Sequence, residues 1–351
     1  MLIAAPLLAW FDQHGRRLPW RGSQDPYIVL VSEVMLQQTR VETVIPYFAQ
    51  WLQRFPTLAS LAEAPLQDVL AAWEGLGYYS RARNLQQAAQ MIMTELNGQI
   101  PADLPALRRL PGVGRYTAGA VASIAFGMPA PTLDGNIRRV LSRVFDVSED
   151  ARSPAGERQL WALAAGQLPA ERPGDYNQAL MDLGATICIP QTPHCPDCPL
   201  AALCQAQLLG IQTERPVLAR RPVSPHITVT AAIIERDGRV LITQRPPHGL
   251  LGGMWEFPGG KQQAGETLPE CLQREIREEL DVRVEVGTPA GVYRHAYTHF
   301  RLTLHAFFCR LPSGEPRALE VADLRWVSPA ELAAYPMGKV DRQIALSLLR
   351  R

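Results

Sequence analysis

The hydrophobic pattern of this chain changes near residue 226, and one regular architecture cannot serve both sides of that change. Up to about residue 210, segments 27–38, 42–55, 81–96, 118–126 and 136–147 carry apolar residues at the spacing of amphipathic helices. Pro and Gly punctuate them, as at Phe55-Pro56, Gln99-Ile100-Pro101 and Met128-Pro129. Beyond 226, the β-branched runs 227–234 and 239–243 flank Asp237-Gly238, a pair that favours a tight hairpin turn. A helix is predicted over 268–280, strands over 292–297, 302–309 and 324–327, and a last helix over 340–349. The chain has 351 residues, more than the roughly 250 that one core usually organises. The predicted organisation is therefore multi-domain: an all-α domain over 1–206, a linker over 207–225 and an α+β domain over 226–351. Pro216, Pro222, Pro225, Arg215, Arg220 and Arg221 mark the linker.

Composition narrows the class of protein. At 47% hydrophobic and 20% charged residues the chain is too apolar for disorder. No apolar run approaches the roughly 20 residues of a membrane span. The opening MLIAAPLLAWFD has no basic segment ahead of its apolar stretch, so a cytoplasmic protein without a membrane partner is expected. The formal charge is only +1. Binding to nucleic acid must therefore be argued from local motifs.

Four of the six cysteines, Cys188, Cys195, Cys198 and Cys204, fall in a C-x6-C-x2-C-x5-C pattern. Four thiolates on a short loop suit a [4Fe–4S] cube, a zinc ion or two disulfides. A reducing compartment disfavours the disulfides. Cys271 and Cys309 have no such spacing and are read as packed thiols.

Three further features concern chemistry. In Leu110-Pro111-Gly112-Val113-Gly114 the two glycines permit a tight turn with backbone N–H groups exposed at a helix start, an arrangement that binds phosphate. Arg108, Arg109 and Arg115 flank it. Glu33 lies in the apolar run 28–36, where desolvation raises a carboxyl pKa and lets it hold a proton near neutrality. Asp134, in Thr132-Leu133-Asp134-Gly135-Asn136, precedes a helix; an Asp there also serves as an N-cap. One protonated and one ionised carboxyl are what cleavage of a glycosidic bond requires.

SEVMLQQT at 32–39, GLGYYSRARN at 75–84, the glycine hairpin, DGNI at 134–137 and the cysteine loop together resemble the adenine DNA glycosylases known as MutY. That family lies within the helix-hairpin-helix superfamily of endonuclease III. The resemblance covers residues 1–210. It implies a [4Fe–4S] cluster on the four cysteines and excision of adenine mispaired with 8-oxoguanine or G, with the base flipped out of duplex DNA. By the same resemblance Glu33 protonates the adenine, Asp134 stabilises the sugar cation, and Tyr116 and Asn136 support them. Trp20, Arg21 and Gln178 line the adenine pocket, Gln38, Thr39 and Tyr78 touch the lesion, and Gly112 and Gly114 hold phosphate. The expected enzyme is monomeric and nucleoid-associated. Endonuclease III uses a Lys for Schiff-base chemistry; here Tyr116 stands at that place, and the first Lys in the chain is Lys261. Arg cannot replace it as an amine nucleophile.

Residues 260–282 fit the Nudix pattern G-x5-E-x7-R-E-U-x-E-E-x-G-U except at Asp281, which replaces Gly. Resemblance to MutT-like Nudix domains implies a module that recognises 8-oxoguanine. Tyr297-Thr298-His299 stands where the family often has Phe-Ser-His, which makes Thr298 and His299 candidate DNA contacts. Glu275, Glu278 and Glu279 are candidate Mg²⁺ ligands. An active box would make the protein bifunctional, hydrolysing 8-oxo-dGTP as well. MutT-like enzymes read that base with an Asn near their last helix, however, and this chain has no Asn after Asn177.

Overall fold

The computed structural model describes residues 2–219 and 224–351. Arg220, Arg221 and Pro222 of the basic Pro-rich segment lie outside those residues. The chain divides into two compact units, Met1–Glu63 with Asn84–Arg221, and Ala64–Arg83 with Pro222–Arg351.

Helices come first: α1 (Ala4–His14), α2 (Pro26–Leu36), α3 (Val41–Arg54), α4 (Leu58–Glu63), α5 (Leu66–Trp73) and α6 (Ser80–Glu95). Then follow α7 (Leu104–Arg109), α8 (Arg115–Phe126), α9 (Gly135–Val144), α10 (Pro154–Gln167), α11 (Pro173–Thr186) and the short α12 (Gln205–Leu208). In the first unit, Ile3 just before α1 and Leu7 within it pack with Ile137, Val140 and Leu141 of α9, Leu160 of α10, and Ala179, Leu180 and Leu183 of α11. Helix α2 is buried along almost its whole length, from Tyr27 to Met35. No described helix is long and apolar enough to cross a membrane.

The second unit carries β1 (His226–Arg236), β2 (Arg239–Gln244), β3 (Trp255–Glu256), α13 (Leu268–Leu280), β4 (Glu285–Ala296), β5 (Arg301–Arg310), β6 (Asp323–Val327) and α14 (Lys339–Leu348). The sheet order is β3-β2-β1-β5-β4, with β6 paired to β2. Strands β1 and β5 run parallel, and the other pairings are antiparallel. Alternation along β1 covers both faces. Ala231 and Ile233 pack with Val340, Ile344 and Leu348 of α14, while Ala232 and Ile234 pack with Leu272, Ile276 and Leu280 of α13. Asp237 and Gly238 turn the β1–β2 hairpin with φ of 50° and 71°, the signs a two-residue turn of this hand needs.

Besides the short β3, three features differ from the sequence reading. Strand β4 starts at Glu285 rather than 292, because register shifts at Pro289 interrupt its alternation. Residues of the expected linker, up to 219, are bound within the first unit: Arg215 pairs with Asp146 at 2.7 Å, and Ala151 N–H donates to the Val217 carbonyl. Segment Ala64–Arg83 belongs with the second unit, where the Glu74 carboxylate pairs with Arg342 at 2.6 Å and Gln67 bonds both Gly253 and Trp255.

Candidate active site

Helix α2 starts at Asp25, whose side chain accepts from Tyr27 N–H, with Pro26 at the first helical position. Two turns on, Glu33 is 5% exposed. Its Oε2 accepts the Tyr116 hydroxyl at 2.5 Å. Burial raises the Glu33 carboxyl to about 7, against the opposing pull of that hydrogen bond; the neighbouring Asp134 raises it and Arg21 lowers it. The Tyr116 phenol is itself held well above its usual value by burial and by Glu33. Near neutrality Glu33 is thus poised to carry a proton.

Asp134 caps α9. Its Oδ1 accepts Ile137 N–H at 2.7 Å and its Oδ2 accepts Asn136 Nδ2 at 3.0 Å. Burial raises its pKa, and these bonds together with Arg139 oppose the rise. Asn136 is pinned in turn. A Cβ on Gly184 would lie 2.6 Å from Asn136 Cβ, so α11 closes on α9 only because residue 184 is Gly. Arg139 Nη2 donates to Asn136 Oδ1, and its Nε donates to the Cys188 carbonyl at 2.7 Å. A continuous polar chain therefore links Asp134 to the cysteine loop.

A narrow pocket beside Glu33 is lined by Trp20, Arg21 and Gln178, together with Arg16 and Met181. It adjoins a cleft of about 1310 Å³ through shared walls at Arg16, Leu36, Val41 and Met181. Gln38, Thr39, Gly112, Gly114, Tyr116, Asp134 and Asn136 line this cleft. Gly112 has φ of 76°, the left-handed conformation that favours glycine in the turn between α7 and α8. Gly114 caps α8 in extended conformation, and open space lies where its Cβ would be. A ligand can approach the unpaired N–H groups of the first turn there.

The four cysteines of the loop line one pocket with Val140, Val144, Leu183 and Ile187. Arg143, 2% exposed, donates to Cys188 Sγ at 3.3 Å and to the Ile189 and Pro190 carbonyls. Burial pushes the Cys198 thiol up to about 12 and raises Cys195 and Cys204. Buried thiolates there need a cationic partner, and the donor set fits an iron–sulfur group. Among the described residues, no three His, Cys, Asp or Glu side chains are grouped to hold a single metal ion. Cys271 and Cys309 are buried, as read from the sequence.

In the second unit, Tyr78 bonds its hydroxyl to Thr298 Oγ1. These two candidate lesion contacts, 220 residues apart, meet. Thr298 and His299 are exposed in a turn closed by Tyr297 N–H on the Phe300 carbonyl, with the rings of Tyr297 and Phe300 stacked. Within the Nudix-like box, Arg274 engages Glu266, Glu275 and Glu278 at 2.8–2.9 Å. Glu279 accepts Gly259 N–H, and burial raises it to about 8. Asp281 ends α13 with φ of 57°, the conformation usually given to Gly. Arg16, Arg139 and Met181 were not singled out from the sequence. Arg16 and Met181 meet partners far along the chain, and Arg139 joins the nearby Asn136 to the distant Gly184 and Cys188.

The model of the HhH-GPD superfamily of base excision DNA repair proteins matches residues 31–165, and that of the NUDIX domain matches 229–346. Two solved structures are similar to the helical part. A thermostable thymine-DNA glycosylase is 29% identical with a TM-score of 0.55, covering 59% of this chain and 95% of its own. An endonuclease III in non-covalent complex with DNA is 26% identical with a TM-score of 0.50, covering 59% and 94%. The helical fold and the two family matches thus define a base-excision repair glycosylase with an appended Nudix domain. The human adenine DNA glycosylase is 37% identical over 93% of this chain and 70% of its own length. The chain belongs to the adenine DNA glycosylase family, enzymes that hydrolyse N-glycosyl bonds.

Proposed function

We propose that this protein excises adenine opposite 8-oxoguanine, or opposite G, from duplex DNA, and that it does so without lyase chemistry. The observation that carries the reading is the buried Glu33, poised near 7 beside Asp134 and one wall away from a cleft edged by a phosphate-binding turn. Flipping places the adenine in the pocket of Trp20, Arg21 and Gln178. Glu33 gives its proton to the base, and Tyr116 holds the carboxyl in place. Asp134, its oxygens fixed by Asn136 and the α9 backbone, faces the positive charge that grows on the sugar. The turn at Gly112–Gly114 holds the backbone phosphate. The test is strand scission at the abasic product after hot alkali, on duplexes with A opposite 8-oxoguanine, G or T. Absence of cleavage on all three would overturn the reading.

Cys188, Cys195, Cys198 and Cys204 would hold a [4Fe–4S] cluster. When bound, it supplies a covalent tie across the loop and a redox-active centre. The purified protein is expected to be brown with about four irons per chain. Zinc in place of iron would refute this assignment.

Residues 1–260 contain no Lys, so borohydride is expected to trap almost no covalent enzyme–DNA adduct during turnover. Efficient trapping would mean that another amine attacks the sugar.

Lesion reading is assigned to the second unit, with Thr298 and Tyr78 at the contact. Thr298→Ala is expected to slow excision opposite 8-oxoguanine more than opposite G, a difference worth about 1 kcal/mol for one polar base contact. Equal losses on both duplexes would argue against it. The lack of any Asn after Asn177 favours recognition over hydrolysis of 8-oxo-dGTP for this box, although Arg274 offsets only part of the charge of Glu266, Glu275 and Glu278.

A further inference from the structure

Asp182 lies on α11 one turn beyond Gln178 and has no exposed side-chain surface. Its Oδ1 accepts Arg16 Nε at 2.9 Å, Arg16 Nη2 at 2.7 Å and Arg21 Nη2 at 2.9 Å, and its Oδ2 accepts the Arg16 backbone N–H at 2.9 Å. One carboxylate thus holds two guanidiniums from the loop between α1 and α2. Both line the pocket beside Glu33, and Arg16 also lines the cleft. Arg21 Nε and Nη1 are buried without a hydrogen-bond partner among the described residues. Buried guanidinium donors are costly to leave unmet, so these are available to an acceptor atom of an incoming base.

We infer that Asp182 is a positioning residue of the excision reaction. It aims the free donors of Arg21 into the base pocket and balances the charge of both arginines. The inference rests on the adenine reading of that pocket. It has an electrostatic consequence for Glu33, on which Tyr116 from α8, Asp134 at the start of α9 and Arg21 from the loop act, with Arg21 held in turn by Asp182 of α11 and Arg16 lining the same pocket. Removing the negative charge of Asp182 leaves two cations uncompensated nearby, which favours the ionised form of Glu33. The acid is then lost at lower pH.

The experiment is a single-turnover pH–rate profile of the full-length enzyme on A opposite 8-oxoguanine. Asp182→Asn is expected to lower the maximal rate about 10- to 100-fold, as for a misplaced binding group, and to move the alkaline limb toward acid. Affinity for a duplex carrying a stable abasic analogue should persist, because the phosphate-holding turn lies elsewhere. In an Arg21→Gln background, Asp182→Asn should cost less than it does in the wild type, since part of its effect runs through Arg21 and the rest through Arg16. A wild-type profile in Asp182→Asn would overturn the inference, as would a lower rate with an unmoved limb. Should that variant fail to fold, Asp182→Glu carries the test: it keeps the charge and so the limb, but displaces both guanidiniums and slows excision. A wild-type rate in folded Asp182→Glu would overturn the inference. Inactive wild-type enzyme would sink the adenine reading itself, whereas an active wild type with indifferent variants would sink only the role of Asp182.

Discussion

Glu33→Gln is expected to lower single-turnover adenine release by about 10²- to 10⁴-fold, the usual contribution of a positioned general acid, while duplex binding persists. Gln keeps the shape and can still accept the Tyr116 hydroxyl, so geometry survives and only the transferable proton is lost. In the wild-type enzyme the rate should fall as pH rises through about 7, where Glu33 loses that proton. A second readout separates an acid from a structural Glu paired with a cation. The folded pKa lies above the ordinary value of 4.5, so the native state binds the extra proton. Stability is therefore full below 4.5 and declines as pH rises through the folded value, by about 3 kcal/mol for a shift of this size. Gln removes that decline, and Glu33→Gln should melt higher than wild type at pH 8 and close to it at pH 4.5. A variant destabilised at pH 8 would mean that Glu33 is an ion-pair partner instead.

Local rules explain most of what could be read before the fold was known. Helix α13 runs over 268–280 as predicted, because Thr267 and Glu270 form a capping box at its start and Asp281 accepts the left-handed conformation at its end. Helix α2 and its buried carboxyl followed from a run that is apolar on almost every side, broken only by Ser32 and Glu33. Strand β3 was missed because two residues carry no period. The placing of segment 64–83 with the second unit depends on Glu74 meeting Arg342 and Gln67 meeting Gly253, pairs 186 to 268 residues apart. Asp182 was hidden for the same reason: it stands on an unremarkable helical turn, and its arginine partners lie 161 and 166 residues away. Residue type and spacing find a site whose parts are local or carry a family motif. The groups that hold those parts in place come from chain closure, which no window of sequence contains.

Asp134 is the position where cap and catalyst must be told apart, because the same carboxylate oxygens that cap α9 would serve the proposed reaction. As a cap it satisfies Ile137 N–H, and its loss to Ala costs about 1 kcal/mol. In the proposed role it stabilises the cationic sugar, and loss of one preorganised electrostatic partner costs about 10²- to 10³-fold in rate. Asp134→Ser keeps a capping oxygen and removes the charge. It is expected to melt near the wild-type temperature and yet lose about 10²-fold or more in adenine release. Asp134→Ala should lose activity comparably and stability in addition. Asn136→Ala, which leaves the charge but frees Oδ2 of its amide donor, should fall between wild type and Asp134→Ser in rate. If Asp134→Ser instead turned over at nearly the wild-type rate, the carboxylate would be a helix cap alone, and stabilisation of the sugar cation would have to come from the DNA or the departing base.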